Sequence, residues 1–323
     1  MLKKLLKPFP RLNTSILPTP IHKLEHISGL LDCRLFCMRD DLTGLAYGGN
    51  KTRKLDFLIA DAKQKNADAI IGIGANQSNF CRLATAAATV HGLETYLVLA
   101  GKKPDKPTGN LLVDHLLGAN IEHVDTESDE ILTEKSLILE RKLISQGKKV
   151  YRMPSGGSTP IGVLGYLEAF YEIAVFSEQN NIYFDHIIHA SGSGGTQAGL
   201  ALGKSLLSGV CGKITGISVG RDKPQLTERV RRLATETADM LNVDFETKHV
   251  EVDDNFIGER YGIKTPEGTR AIELFAKKEG IILDEVYTGK AAAGLINFAE
   301  KKRFNTGENI LFIHTGGNIQ LFA

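Results

Sequence analysis

The stretch His186-Ile-Ile-His-Ala190-Ser-Gly-Ser-Gly-Gly195-Thr-Gln-Ala-Gly-Leu200 decides the fold. It opens as a short strand-like run, turns through a glycine cluster, and from Gln197 to Leu207 repeats its apolar residues at helical spacing. A strand, a glycine turn and a helix in that order form the first half of a β-α-β unit, which a parallel sheet completes. The alternation continues outward from this point, from about residue 55 to the end. Strands are expected at Ala69 to Ile73, Thr95 to Leu99, Ile121 to Val124, Val150 to Met153, His186 to Ala190, Ile214 to Val219, His249 to Val252 and Ile310 to His314. Helices are expected at Lys54 to Lys65, Glu130 to Gln146, Ile161 to Ser177, Gln197 to Leu207, Leu226 to Leu241, Gly268 to Lys278 and Gly289 to Lys302, with a further one running through Ala86. The fold class is therefore α/β, with parallel-rich sheets flanked by helices.

Composition agrees with a globular chain. Of 323 residues, 42% are apolar and 24% charged, enough for one large α/β domain or two ordinary ones. Lys plus Arg total 39 against 38 for Asp plus Glu, a formal net charge of +1, so no electrostatic field favours nucleic acid or a membrane surface. The basic opening MLKKLLKPFP is cut by Pro8 and Pro10 before any signal-peptide core, and no run of about 18 apolar residues occurs. The expected setting is cytoplasmic. Cys33, Cys37, Cys81 and Cys211 are too scattered for a disulfide framework and read as buried or half-buried free thiols. His186 and His189 stand three apart on a strand, on opposite faces, and suit no common metal. Two breaker clusters punctuate the chain. Gly101-Lys-Lys-Pro-Asp-Lys-Pro-Thr-Gly109 reads as a solvent-facing connection, and Pro154-Ser-Gly-Gly-Ser-Thr-Pro160 as the change between domains.

Ligands of open α/β sheets sit beyond the carboxyl ends of strands, where loops and helix N-termini present N–H groups. The turn at Ser193, Gly194, Gly195 and Thr196 fits that description as an anion cradle. It lacks a dinucleotide fingerprint, because Gln197 occupies the third glycine's place, and it lacks the Gly-Lys-Ser/Thr of a P-loop. Taken alone it reads equally as a tight turn. Gly74-Ala-Asn-Gln-Ser-Asn79 crowds four polar side chains where a helix start needs one cap, an excess that favours a ligand over Ser78 or Asn79 acting only as N-cap. Gly48-Gly-Asn-Lys51-Thr-Arg-Lys54 puts an amine beside glycines at a helix start, an electropositive setting that lowers its pKa and frees it as a nucleophile. Asp284-Glu-Val-Tyr-Thr-Gly-Lys290 and Ile313-His-Thr-Gly-Gly317 end late strands, with Tyr287 and Thr315 aimed at the same crevice.

In this order, Leu17-Pro-Thr-Pro-Ile21, GGNKTRKL, QSN, SGSGGTQAGLALG, VYTGKAAAGL and HTGGN resemble the pyridoxal-phosphate enzymes of the tryptophan-synthase-like fold, fold type II. More narrowly, they resemble the branch holding D-cysteine desulfhydrase and 1-aminocyclopropane-1-carboxylate (ACC) deaminase, across nearly the whole chain. The resemblance implies two domains with pyridoxal 5'-phosphate between them: a large one of residues 1–54 plus 161–323, and a small inserted one of residues 55–160. It implies a homodimer. By the same resemblance Lys51 would bind the cofactor aldehyde covalently and then act as the base at Cα. Asn79 would hydrogen-bond the phenolic oxygen. Ser193, Gly194, Gly195 and Thr196 would hold the phosphate, with Lys54 as charge partner and Thr315 on the cofactor side. Ser78 and Tyr287 would serve catalysis, and Ser78, Asn79, Phe80, Tyr287 and Thr288 would meet the substrate.

Within the branch, ACC deaminases carry an acid after the tyrosine and a leucine before the last Gly-Gly. Desulfhydrase-like members carry hydroxyl residues at both places, as this chain does at Thr288 and Thr315. A carboxylate near the pyridine nitrogen would deepen the electron sink that ring opening needs, whereas thiolate leaves more readily. The implied activity is β-elimination from a small amino acid, D-cysteine first. ACC, D-serine, β-chloroalanine and L-cysteate stand as alternative substrates, and a non-catalytic binder of pyridoxal phosphate or an anionic metabolite as another class. Three departures lie beside the expected pocket: Phe80 where His follows QSN, Ala75-Asn76 where Gly-Ile precedes it, and Asn318-Ile-Gln320 in place of an Ile-Pro-x run.

Overall fold

Ala69-Ile-Ile-Gly-Ile-Gly-Ala75 contains no polar side chain, and all but its last residue is buried. A strand of this kind needs a paired neighbour on each side and a helical layer on each face. A computed structural model, which describes residues 2–323, supplies both. Its strands are β1 (Ile21–Lys23), β2 (Arg34–Arg39), β3 (Ala69–Ala75), β4 (Glu94–Ala100), β5 (Asn120–Val124), β6 (Val150–Met153), β7 (Phe184–Ser191), β8 (Cys211–Ser218), β9 (Glu251–Asp253) and β10 (Asn309–His314). Its helices are α1 (Leu2–Leu6), α2 (Glu25–Leu31), α3 (Lys51–Gln64), α4 (Asn79–Val90), α5 (Gly109–Leu116), α6 (Asp129–Ser145), α7 (Pro160–Asn180), α8 (Gly195–Leu206), α9 (Lys223–Leu241), α10 (Pro266–Glu279) and α11 (Thr288–Glu300).

The strands form a six-stranded sheet, β1-β2-β10-β7-β8-β9, and a four-stranded sheet, β5-β4-β3-β6. All pairings are parallel except that of the edge strand β1 with β2. One face of the larger sheet packs on α2, α10 and α11, where Phe275, Leu295 and Phe312 are buried. Its other face packs on α1, α7 and α8 through Phe170, Leu200 and Leu311. The smaller sheet is covered by α3 and α4 through Leu58, Leu83 and Ile70, and on its other face by α6 through Leu132 and Leu143. No helix among the described residues is long and apolar enough to cross a membrane.

β2 was not expected. Its apolar core Leu35-Phe-Cys-Met38 lies between two arginines and outside the strand–helix alternation, yet it pairs with β10 over Asn309↔Arg34 to His314↔Arg39. Helix α5 begins where a loop was read to end. Its Gly109 accepts φ +52° and so joins the turn to the helix.

Helix α7 shows how the two sheets are tied. It starts at Thr159, whose hydroxyl accepts from Gly162 N–H at 3.2 Å, followed by Pro160 at the first helical position, and ends in a left-handed Asn181. A Cβ at Gly165 would lie 2.5 Å from the Arg53 carbonyl, so glycine lets the α7 and α3 backbones touch. Across this contact Arg53, fully buried, donates to Asp40, Glu172 and Thr19 at 2.8 Å each, and Tyr166 donates to Asp40. The four cysteines are free and buried. His186 lies 3.4 Å from Glu308, while His189 is fully buried and directs Nδ1 at the Ala190 carbonyl.

Candidate active site

The carboxyl ends of β3, β4, β7, β8 and β10 open onto one cavity of about 670 Å3, lined by Lys51, Ser78, Asn79, Ser193, Thr196, Tyr287 and Thr315 among others. This volume is in the range that holds a cofactor together with a small substrate.

Lys51 is the first residue of α3. Its Nζ donates to Asn50 Oδ1 at 2.9 Å, and Asn50 Nδ2 donates to Thr196 Oγ1 at 3.0 Å, so one amide joins the amine to the start of α8. Burial pushes the Lys51 ammonium down to about 8, against the opposing pull of the Asp284 carboxylate. About a tenth of the amine is therefore free base at pH 7, and about half near pH 8. Asn50 lies within GGNK, where nothing local in the sequence distinguishes this bridge from an ordinary N-cap.

β7 ends at Ser191, Gly194 takes the left-handed conformation with φ +85°, and α8 begins at Gly195. A Cβ at Gly195 would lie 2.6 Å from Lys54 Nζ and 2.8 Å from Ser158 Oγ, so glycine is what lets these groups close on the helix start. The first N–H groups of α8 have no partner within the helix and face outward at its positive end. The Ser158 and Ser193 hydroxyls lie 2.8 Å apart, and Arg229 Nε donates to the Ser193 carbonyl at 2.9 Å. Gln197 is turned the other way. It accepts from Ser191 Oγ at 2.8 Å and donates to the Glu251 carbonyl at 2.6 Å, so it braces the sheet where a dinucleotide site would have glycine.

Lys54 is placed differently from Ser193, Gly194 and Thr196, which line the cavity. It is fully buried and stands behind Gly195, not among the residues that line the cavity. Its only acceptors are the Gly156 carbonyl at 3.2 Å and Ser158 Oγ at 3.5 Å, and among the described residues it makes no ion pair. Burial, then the charges of Lys51 and Arg229, push its pKa well below the ordinary lysine value. Three basic side chains, Lys51, Lys54 and Arg229, therefore stand around one glycine turn, and none of them is in an ion pair among the described residues. A phosphate ester supplies the missing charge, and an aldehyde on the same molecule would meet the Lys51 amine. The residues present fit pyridoxal phosphate.

The QSN loop divides its polar side chains. Asn76 turns away, its Oδ1 2.9 Å from His123 Nδ1 and its Nδ2 donating to the Lys102 carbonyl. Gln77 donates to the Thr108 carbonyl at 3.1 Å and accepts from Asn110 N–H at 2.8 Å. Ser78 caps α4 by accepting from Cys81 N–H at 3.2 Å, which leaves its hydroxyl hydrogen free, and both it and Asn79 line the cavity. Half of the polar excess read from the sequence thus holds neighbouring loops.

Phe80 lines the cavity wall, but its ring packs near Gly72 and Gly157 in the core of the smaller sheet and is 2% exposed. Thr288, expected to meet substrate, does not line the cavity. Its hydroxyl donates to Asp284 Oδ1 at 2.6 Å and accepts from Asp284 N–H at 2.8 Å, because a buried carboxylate caps the start of α11 and draws the hydroxyl into that cap. Tyr287 and Thr315 both line the cavity. The Tyr287 hydroxyl lies 2.5 Å from that of Tyr261, a cavity residue in a segment whose sequence carries no motif. Burial, reinforced by Tyr261, holds the Tyr287 phenol well above its usual pKa, so it remains a donor. At the mouth, Arg221 pairs with Asp129 at 2.6 Å and Arg260 with Glu127 at 2.8 Å.

Comparison with known proteins fits this geometry. A Pyrococcus horikoshii protein provisionally named 1-aminocyclopropane-1-carboxylate deaminase is 43% identical over 97% of this chain and 93% of its own length. The D-cysteine desulfhydrase of Serratia proteamaculans is 38% identical over 100% of this chain and 98% of its own. The crystal structure of an ACC deaminase homologue superposes with a TM-score of 0.93 at 41% identity, covering 99% of this chain and 96% of that one. The sequence profile described as "Pyridoxal-phosphate dependent enzyme" matches residues 12–316. With fold, cavity and sequence in agreement, the chain belongs to the pyridoxal-phosphate dependent enzymes of fold type II, and its cofactor is pyridoxal phosphate.

Proposed function

We propose that the protein is a lyase that eliminates the β-substituent of a small amino acid, with D-cysteine and water giving sulfide, pyruvate and ammonia. The observation that carries the lyase reading is the half-buried Lys51 amine, lowered to about 8, in a cavity that ends in a glycine turn flanked by basic side chains. When bound, the cofactor supplies an electron sink for charge that develops at the substrate's Cα. Lys51 Nζ takes the Cα proton, and Asn50 Oδ1 orients it for that task. The free hydroxyl hydrogen of Ser78 serves the substrate carboxylate. Asn79 serves the phenolic oxygen, while Ser193, Gly194, Gly195 and Thr196 serve the phosphate, with Lys54 behind them. The Tyr287–Tyr261 hydroxyl pair supplies a proton path to the leaving group.

Thr315 supports elimination over ring opening, since it brings to the cavity the hydroxyl of the desulfhydrase-like members where the deaminases carry leucine. Thr288 lends no support to either, because its hydroxyl belongs to the Asp284 cap. ACC deamination is the second reading, favoured by the names of the Pyrococcus relative and the solved homologue. The test is comparative turnover of both cysteine enantiomers, ACC, D-serine, β-chloroalanine and L-cysteate by purified protein. Sulfide from D-cysteine that disappears in Lys51→Ala is the expected result. Good ACC turnover without sulfide overturns the substrate, and full sulfide release by Lys51→Ala overturns the mechanism. The same reading carries the division into residues 1–54 plus 161–323 and 55–160, and a cytoplasmic homodimer, which sedimentation of the holoprotein tests.

A further inference from the structure

Asn110 opens no motif, yet it is fully buried at the second position of α5 and touches three parts of the site's framework. Its Oδ1 accepts from Arg82 Nε at 2.6 Å. Its Nδ2 donates to the Gln77 carbonyl and to Asn79 Oδ1, both at 2.9 Å. Donor and acceptor roles then follow without choice. An arginine Nε–H can only donate, so Asn110 must present oxygen to it, and a backbone carbonyl can only accept, so Asn110 must present its NH2 to Gln77. The same NH2 meets Asn79, which must answer with its oxygen. Asn79 is left with its own NH2 directed elsewhere, beside Gly317 of the HTGG turn, where it has no protein acceptor among the described residues. The remaining bonds of Arg82, to the Ala46 and Gly48 carbonyls, fix its guanidinium and tie Asn110 to the turn that precedes Lys51.

We propose that Asn110 is a positioning residue that sets the amide of Asn79 so that it offers a donor, not an acceptor, to the cofactor's phenolic oxygen. The inference rests on the reading above that Asn79 faces that oxygen. An asparagine amide is pseudo-symmetric, and without a neighbour to discriminate its two ends it presents either. Against a phenolate, NH2 attracts and C=O repels. Asn110 holds the attractive end in place without itself lining the cavity.

The test is the pH titration of the visible band of the holoprotein, which follows a proton shared between the Schiff-base nitrogen and the phenolic oxygen and so responds to hydrogen bonds at that oxygen. Asn79→Ala removes the donor and raises the titration midpoint by about one pH unit or more, the scale of one hydrogen bond to a charged group. Asn110→Ala leaves Asn79 free to turn and raises it by a smaller amount. Asn110→Asp is the sharper variant. The new carboxylate keeps a partner in Arg82 but cannot donate to Asn79; Asn79 turns its NH2 inward and presents oxygen to the cofactor, and the midpoint rises further than in Asn110→Ala. Adding Asn110→Ala to Asn79→Ala shifts nothing more, because the effect passes through Asn79. An unchanged midpoint in Asn110→Asp, or a full additional shift in the double variant, overturns the proposal. Loss of the band in Lys51→Ala alongside an unmoved Asn110 series leaves the cofactor reading intact and removes only this inference. A wild-type protein without any band that depends on Lys51 removes both.

Discussion

Replacement of Lys54 by methionine separates the anion cradle from an ordinary buried lysine, because the two predict opposite balances of stability and affinity. A structural lysine would be paired, and its loss would unfold the protein. Lys54 has only two neutral acceptors, at 3.2 and 3.5 Å, and burial with Lys51 and Arg229 holds its pKa well below the lysine range. In the free protein it therefore contributes little, and methionine of similar volume removes a poorly bonded polar group from the interior. The apoprotein of Lys54→Met is expected to melt at the same temperature as the wild type or higher. With phosphate in the turn, the ammonium form is favoured and makes a charge-assisted hydrogen bond, worth about 1.5–3 kcal/mol. The dissociation constant for pyridoxal phosphate should then weaken by roughly 10- to 150-fold. Spectrophotometric titration of the two apoproteins measures this, and calorimetry in buffers of different ionisation enthalpy reads the proton uptake linked to binding, larger in wild type than in the variant. A fall in apoprotein melting temperature of more than about 3 °C, with affinity changed less than about threefold, would refute the reasoning.

Three further predictions follow from the same geometry. Lys51 must be neutral to attack an aldehyde, so the rate at which apoprotein takes up pyridoxal phosphate covalently should rise about tenfold per pH unit below about 8 and level off above it; a rate still climbing toward 10.5 contradicts the lowered pKa. Thr288→Val keeps the volume but leaves Asp284 N–H and carboxylate short of a partner, so denaturant unfolding should show a loss of about 1–3 kcal/mol with cofactor affinity unchanged, whereas weakened substrate binding without destabilisation would return Thr288 to the cavity. Arg53→Met strands Asp40 and Glu172 in the contact between α3 and α7, and should cost about 3–5 kcal/mol in the same measurement; a neutral result would mean that this buried network carries no weight.

The residues legible in the sequence are those whose chemistry is local. A glycine turn between a strand and a helix, or a lysine beside glycines at a helix start, declares its backbone geometry within seven residues. Ser193, Gly194, Thr196, Lys51, Ser78, Asn79, Tyr287 and Thr315 were all named from such signals, and all line the one cavity. What stayed hidden depends on partners far along the chain. Asn110 acquires its three bonds from Gln77, Asn79 and Arg82, and Tyr261 meets Tyr287 only because the segment before α10 folds back over the cavity. Strand β2 was overlooked for the same reason: its six residues become a strand through β10, some 275 positions later by its register Asn309↔Arg34. Thr288 shows the converse error. Its place beside Tyr287 suggested the cavity, but a helix start turns successive residues about 100° apart, and the cap at Asp284 claimed it.

The two lysines of α3 illustrate how one turn of helix assigns opposite roles to the same side chain. Lys51 and Lys54 are three residues apart and so share a helix face. Lys54 is fully buried and Lys51 half-buried at the cavity, and the charge on Lys51 helps to push the Lys54 pKa down. Their partners break the symmetry. Lys54 is set behind an anion-seeking turn with Ser158 and Gly156 as acceptors, whereas Lys51 faces the open cavity with Asn50 Oδ1 and the more distant Asp284 charge. An anion seated in the turn favours the ammonium at Lys54. That ammonium in turn disfavours a second positive charge one helical turn away, which opposes the anion's own pull on Lys51 and leaves its amine available. A ligand with a phosphate at one end and an aldehyde at the other would therefore meet each lysine in the protonation state its own end requires. A ligand with two anionic ends would not.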